Sequence, residues 1–338
     1  MQGSCAQPRS NRRPGETRLF LAVVFPPWGE LPQNSLRKYA IDAIICCVLE
    51  APKKSLRSKP GRRPPSPDPF RAADFIAAHQ VFRFEEFLEA HVASGASPAT
   101  TDSLLRYYVG TNRLLNLRRG LYANSDDPDP FLVASQLSRD AVLAYEGALA
   151  FHGMSPLLGS LSFLTTERAR RFVFDETIYQ PVRVPTAVSH RPDWGGNILS
   201  VERDGQMLKV TSIDRTLVDL LDRLDLSPGS DVLWDCFRCA PVDWSVMIQY
   251  AQQLGNRLLI GRLAVFLHCL GATNRVLNQL DAFAPRSACY FDKHDRTKGD
   301  AIFPRWSVIV PQSLIVHINS GATVDPFRAS SRHATTSR

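Results

Sequence analysis

The sequence predicts an α+β protein: a small helical segment closed by a basic hairpin, then a strand-rich stretch, then a run of helices. Three observations support this. Residues 82–123 hold two helix-length stretches followed by two short apolar arms around Arg118-Arg119-Gly120. Between 161 and 210 the texture changes to short segments rich in Val, Phe, Thr and Ile separated by turns. Beyond 211 the apolar residues return to spacings of three and four, the period of a helix with one buried face.

A length of 338 residues suggests two or three domains. The formal charge of +7 is unevenly placed: residues 1–70 carry 12 Lys and Arg against 5 Asp and Glu, and the remaining residues 28 against 28. The high pI therefore belongs to the leader, and does not by itself argue that the rest binds nucleic acid. Residues 1–70 combine Pro, Arg, Lys and Ser and end in KPGRRPPSPDP, a composition that buries too little apolar surface to offset the entropy of ordering. A disordered basic leader is expected there, or the product of a start codon placed too far upstream.

A first domain is expected over 71–125. Its first helix spans about 72–80, with Phe75 and Ile76 facing Phe84, Phe87 and Leu88 of a second. Glu85, Glu86 and Glu89 lie near the start and on the outer side of that second helix, where they suit the helix dipole and would repel phosphate. Ser97-Pro98 has the form of a third helix start, since Ser caps open amides and Pro at the first position gives up only an amide without a partner. This helix should run to about Val109, with Gly110 closing it. Leu104, Leu105, Tyr108 and Val109 then fall on one face, and Thr100, Ser103, Arg106 and Tyr107 on the other. Residues 112–124 follow as a hairpin around Arg118-Arg119-Gly120.

Two helices and a basic hairpin in that order are the outline of a winged helix-turn-helix. Ser97, Thr100, Ser103, Arg106 and Tyr107 would then face a DNA major groove, hydroxyls and N-terminal amides on phosphates and Arg106 forked onto guanine. Arg113, Arg118 and Arg119 would sit over the flanking backbone, where charge supplies affinity without sequence information. The competing reading is a protein-docking module, with the Arg pair a solvated turn.

The acidic stretch 126–130 (DDPDP) is the kind of turn-rich break that separates domains, and a second domain is expected over 131–314. It opens with a helix near Phe131 and a second over 141–152 ending at His152, a residue better suited to capping carbonyls than to chemistry because no ligand partner is visible. A small sheet follows, in which Asp204-Gly205 marks a two-residue hairpin turn with positive φ. Thr211 and Asp214 are placed as a capping box for a helix over 215–224, where Arg215 and Asp219, one turn apart, give helix support or a buried anchor. Further helices are expected over 231–239, 243–254 and 258–270, strands at 288–291 and 305–311 around a polar loop 292–300, and a polar tail over 315–338.

Little else in the chain points to chemistry. The seven cysteines, Cys5, Cys46, Cys47, Cys236, Cys239, Cys269 and Cys289, are scattered, and only Cys236 and Cys239 have ligand-like spacing, without a second pair or a fitting His. No phosphate-cradling glycine loop, Gly-x-Ser-x-Gly elbow or His-Glu-x-x-His occurs. Asp292-Lys293-His294-Asp295 is the densest polar cluster and reads most simply as a solvated loop. Neither a catalytic residue, a metal site nor a cofactor is expected. The longest apolar runs, at 19–25 and 44–49, fall far short of a bilayer span, so a cytoplasmic protein without a membrane partner is expected.

Taken in order, the hairpin RRGLY at 118–122, the helix end around Ala148-Leu149 and His152-Gly153, and the run 211–219 resemble the AbiEi family of antitoxins and transcriptional regulators from bacterial abortive-infection systems. The resemblance covers roughly 82–311 and leaves the leader unexplained. It implies an N-terminal winged helix that represses its own promoter by binding repeats in double-stranded DNA, and a C-terminal domain that counters a nucleotidyltransferase-like toxin without a stable complex. It implies no catalytic residue. The expectation is therefore a repressor and antitoxin of a type IV toxin-antitoxin system; the alternative is an enzyme acting on nucleic acid or nucleotides, with Asp292 and Asp295 its candidate residues.

Overall fold

The computed structural model describes residues 71–157, 159–296 and 300–320, so the expected leader 1–70 and the stretch 321–338 of the expected tail lie outside the described residues. The described chain is a mixed α+β protein of helices and three sheets. It begins with helix α1 (Ala72–Ala78), strand β1 (Val81–Arg83), helices α2 (Phe84–Ala93) and α3 (Pro98–Gly110), and strands β2 (Leu115–Arg118) and β3 (Leu121–Ala123). These strands form an antiparallel sheet in the order β1-β3-β2. Residues Arg119 and Gly120 make the tight turn between β2 and β3, which Gly120 permits by taking a φ of 79°.

Helix α4 (Pro130–Ser135) leads into a six-stranded mixed sheet ordered β6-β7-β5-β4-β9-β8, made of β4 (Val142–Leu143), β5 (Ser160–Thr165), β6 (Phe172–Phe174), β7 (Thr177–Arg183), β8 (Ile198–Arg203) and β9 (Gln206–Thr211). Helix α5 (Tyr145–Phe151) follows β4, and the short α6 (Thr186–Ser189) follows β7. The β8–β9 hairpin turns at Asp204 and Gly205 with φ values of 49° and 76°, as the Asp-Gly pair requires. Five helices come next: α7 (Ile213–Asp222), α8 (Ser230–Cys239), α9 (Trp244–Leu254), α10 (Arg257–Cys269) and α11 (Asn274–Asp281). A small sheet ordered β10-β12-β11 from Cys289–Tyr290, Ala301–Phe303 and Val308–Val310, and helix α12 (Gln312–Ser320), complete the described chain.

Several expected elements are corrected. The helix expected over 141–152 begins only at Tyr145, because Val142 and Leu143 are inserted as a strand between β5 and β9. The junction is tight: a Cβ on Gly147 would lie 2.8 Å from the Ser162 carbonyl oxygen, so helix and strand approach as closely as glycine allows. Ser212, not Thr211, caps α7 by accepting from the Arg215 amide, while Thr211 ends β9 and hydrogen-bonds through its hydroxyl to Thr216. Helix α11 and strand β11 were not expected at all. The expected tail starts too early, since α12 continues through 315–320 with Leu314 buried and Ile315 and Ile318 against the core.

The acidic break at 126–130 does not divide the fold. Val81, Leu117, Leu121 and Ala123 of the first sheet share one buried cluster with Leu132, Leu143, Phe163 and Val210 beyond the break. Gln206 adds a polar clamp there: its amide accepts from the Val81 N–H at 3.0 Å and donates to the Val81 carbonyl at 2.7 Å, standing in for a neighbouring strand on the edge of β1. Across the same seam, Arg203 pairs with Asp129 at 2.6 Å.

The helices pack around a buried ion pair. Arg215 and Asp219 are both essentially inaccessible; Arg215 Nε donates to Asp219 Oδ2 at 3.3 Å, Tyr250 OH donates to Oδ1 at 2.7 Å, and Arg215 Nη1 donates to the Gly196 carbonyl at 2.6 Å. Of the two expectations for this pair, the structure selects the anchor. Burial pushes the Asp219 carboxyl up to about 6, against the opposing pull of Arg215 and the Tyr250 hydroxyl.

Three outcomes follow for stability. Gln206→Leu should cost about 1–3 kcal/mol in urea unfolding, because both Val81 backbone groups lose their partner inside the protein. Asp219→Ala should cost about 3–5 kcal/mol by stranding Arg215. Since the folded pKa of Asp219 lies above its unfolded value, the folded chain holds the extra proton as pH falls. The stability of the wild type relative to Asp219→Asn should therefore rise from pH 7 down through 6 and level off below about 4.

Candidate nucleic-acid interface

Helices α2 and α3 meet through a turn at 94–97, in which Gly95 has a φ of 92°. Ile76, Phe82, Phe87, Leu105 and Leu114 form the buried centre of this segment, with Leu104, Tyr108, Val109 and Tyr122 packed against it. Thr101 is also buried and hydrogen-bonds through Oγ1 to His91 Nδ1 at 2.9 Å, tying α3 to α2. The start of α3 forms as its sequence dictates: Ser97 Oγ accepts from the Thr100 amide at 3.3 Å, and Pro98 takes the first helical position.

The opposite face of α3 is exposed along its length, with Thr100, Ser103, Arg106 and Tyr107 all open to solvent and Ser97 exposed at its start. Thr100 Oγ1 donates to the Ser97 carbonyl and Ser103 Oγ to the Ala99 carbonyl, so both hydroxyls have local partners from which they can rotate. Arg106 pairs with Asp102 at 2.7 Å, with side-chain exposures of 79% and 49%. An exposed pair of that kind is worth little and can yield its guanidinium to a stronger anion. Tyr107 leaves 57% of its surface uncovered, so its ring is open to contact from outside the segment.

On the hairpin side the three arginines divide. Arg113 and Arg119 are exposed, Arg113 just after the end of α3 and Arg119 in the tight turn. Arg118 is turned inward: its Nη2 donates to the Leu137 carbonyl at 2.8 Å, and its guanidinium lies 5.5 Å from the centre of the Phe172 ring. Burial lowers its pKa. The expected phosphate clamp at Arg118 is corrected accordingly, since that side chain bolts the hairpin to the six-stranded sheet.

Beside the turn lies a cleft lined by Arg83, Glu85, Arg119, Ser138, Arg139 and Glu167. Arg139, and Arg168, Arg170 and Arg171 between β5 and β6, stand outside the segment that the sequence marks as basic, and all four are exposed. The run ERARR at 167–171 was the available signal, but only the fold brings it beside the hairpin.

The remaining candidate residues have structural uses. Asp292 Oδ1 accepts from the His294 amide at 2.8 Å, and Asp295 Oδ2 from the Ser313 hydroxyl at 3.1 Å. Among the described residues no three His, Cys, Asp or Glu side chains are grouped to hold a metal ion. Cys236 is buried, which pushes its thiol up to about 12, whereas Cys239 is exposed. His152 Nε2 lies 2.8 Å from the Thr211 carbonyl and helps fix the end of α5. No helix among the described residues is long and apolar enough to cross a membrane.

The adjacent arginines should part in experiment. Arg118→Ala should lower stability by about 1–2 kcal/mol through loss of the Leu137 hydrogen bond and the Phe172 contact, while Arg119→Ala leaves the thermal midpoint unchanged. Thermal melts of the two variants check this.

No family model matches the chain. No curated protein matches it either. Among solved structures it is similar to the RV2827C protein from Mycobacterium tuberculosis, with 16% sequence identity and a TM-score of 0.49, over 74% of this chain and 92% of that one.

Proposed function

We propose that the segment from α1 to β3 is a winged helix-turn-helix that binds duplex DNA, with α3 in the major groove and the β2–β3 turn against the adjacent backbone. One observation supports the reading above the others: α3 buries Leu105 in its own segment while presenting Thr100, Ser103, Arg106 and Tyr107 to solvent in a row. The order helix, strand, two helices, hairpin, with β1 pairing β3, suits that module. In its DNA-bound state Arg106 leaves Asp102 for a base edge, Tyr107 packs on sugar or a thymine methyl group, Ser97, Thr100 and Ser103 reach phosphates, and Arg113 and Arg119 hold the flanking strands. Arg118 acts indirectly, by fixing the turn that carries Arg119.

On this reading the chain is a transcriptional repressor of its own promoter, and the resemblance of 82–311 to the AbiEi family supports a role as the antitoxin of a type IV toxin-antitoxin pair in the cytoplasm. Its functional partner is then a nucleotidyltransferase-like toxin, which it counters without a stable complex.

Gel-shift titrations on the DNA upstream of its own gene test the first part. Arg106→Ala should weaken operator binding by about 1–3 kcal/mol and relax the preference over scrambled duplex. Arg119→Ala should instead weaken both duplexes alike and flatten the slope of log affinity against log salt by about one unit. Equal wild-type affinity for operator and scrambled duplex at moderate salt would sink the repressor assignment. Co-expression with a nucleotidyltransferase-like neighbouring gene, scored by growth, tests the second part.

A further inference from the structure

The loop between β5 and β6 carries Arg168, Arg170 and Arg171, all exposed. Two contacts place it beside the β2–β3 turn. Arg119, Arg139 and Glu167 line the same cleft, and the inward Arg118 guanidinium stacks on Phe172, the residue after Arg171. The turn with Arg119, the α4–β4 connection with Arg139 and the loop with Arg168, Arg170 and Arg171 are therefore three segments that meet at one cleft. None of the five guanidinium groups forms an ion pair with a carboxylate among the described residues. Acidic groups also lie nearby: Glu85 and Glu167 at the cleft, Asp140 at the base of the loop, and Asp175 and Glu176 after β6, with Asp140 already engaged by Thr165 and Thr166. The local concentration of like charge is in the loop itself, three exposed arginines within the four residues 168–171, whose mutual repulsion a polyanion would relieve.

The base of the loop is also pre-shaped. Asp140 accepts from the Thr165 hydroxyl at 2.5 Å and from the Thr166 amide at 2.7 Å, and Arg183 Nη1 donates to the Thr166 carbonyl at 2.6 Å. Burial would raise the Asp140 carboxyl pKa, but the bonds from Thr165 and Thr166 outweigh it and hold the group below its usual value. Glu167 Oε2 accepts from the Arg139 amide at 3.3 Å, and its own amide donates to Thr165 Oγ1 at 3.0 Å. A loop held in this way loses less conformational entropy on binding than a mobile one.

We propose that the β5–β6 loop is a second DNA contact, in which Arg168, Arg170 and Arg171 engage the phosphodiester backbone of the duplex bound by α3, with Arg119 and Arg139 bridging the two sites. The contact is to phosphates and carries no base preference. It rests on the reading of α3 as the DNA-facing helix, and extends the footprint from that segment onto the second half of the protein.

The test uses the full chain, an operator duplex and a scrambled duplex of equal length, with affinity measured by fluorescence anisotropy across a salt series. The variant R168A/R170A/R171A should bind both duplexes about 10- to 100-fold more weakly and flatten the salt slope by about 2–3 units, leaving the operator-to-scrambled ratio unchanged. The all-lysine variant R168K/R170K/R171K should keep the wild-type slope, and all three proteins should share one thermal midpoint. An alanine variant with wild-type affinity and slope overturns the second contact while leaving α3's role intact, as does a loss confined to the operator. A wild-type protein without salt-dependent affinity for either duplex overturns the reading of α3 and, with it, this one.

Discussion

The clamp between Gln206 and Val81 is the constraint on which the rest of the arrangement depends. A three-residue strand such as β1 is too short to hold its place by one neighbour alone, and its pairing with β3 leaves the other edge open. Gln206 satisfies that edge with both ends of one side-chain amide, from a buried position at the tip of the β8–β9 hairpin. Because unpaired backbone groups inside a protein are costly, the position of the first sheet against the six-stranded sheet is fixed to within hydrogen-bond tolerance. The shared apolar cluster supplies the area, and the amide supplies the register. The β2–β3 turn and the β5–β6 loop consequently face one cleft as a fixed pair.

A second constraint operates among the helices. Two buried charges such as Arg215 and Asp219 add little net stability, because their desolvation offsets most of their attraction. Their value is in specifying geometry. Asp219 Oδ1 is satisfied only if Tyr250 of α9 reaches it, and Arg215 Nη1 only if the Gly196 carbonyl before β8 is within reach. The pair thus fixes α7 against α9 and against the approach to β8. An apolar pair would permit these elements to slide. The hairpin that carries Gln206 is set from both ends in this way.

How much of this was legible in the sequence differs from element to element. The Ser97-Pro98 start, the face of α3 and the Asp204-Gly205 turn were readable because each depends on neighbours within a few residues. Strand β4 was not, since two residues are too few to show a period and Val142-Leu143 continues the apolar spacing of the following helix. What makes it a strand is the pair of neighbours it finds at β5 and β9, which sequence order does not reveal. The boundary at 126–130 failed for a related reason. Asp-Pro-rich stretches mark turns reliably, but whether a turn joins two domains or folds one core is decided by burial across it, here of Val81, Leu117, Leu121 and Ala123.

Arg118 and Arg119 show the limit of reading a site from residue types. In sequence they are equivalent, two cations at a hairpin tip. Arg118 ends β2, after a register shift between Asn116 and Arg118, while Arg119 opens the turn, so the first is held on the side where the hairpin packs and the second is carried to solvent. On the packed side Arg118 finds the Leu137 carbonyl, in the connection from α4 to β4, and the Phe172 ring of β6, and the outward side leaves Arg119 without a carboxylate partner among the described residues. A hairpin tip fixed in this manner cannot bend toward a ligand as a projecting wing can. Any duplex that touches Arg119 must therefore accommodate the surface to which the turn is bolted, and that surface is the arginine-bearing loop between β5 and β6.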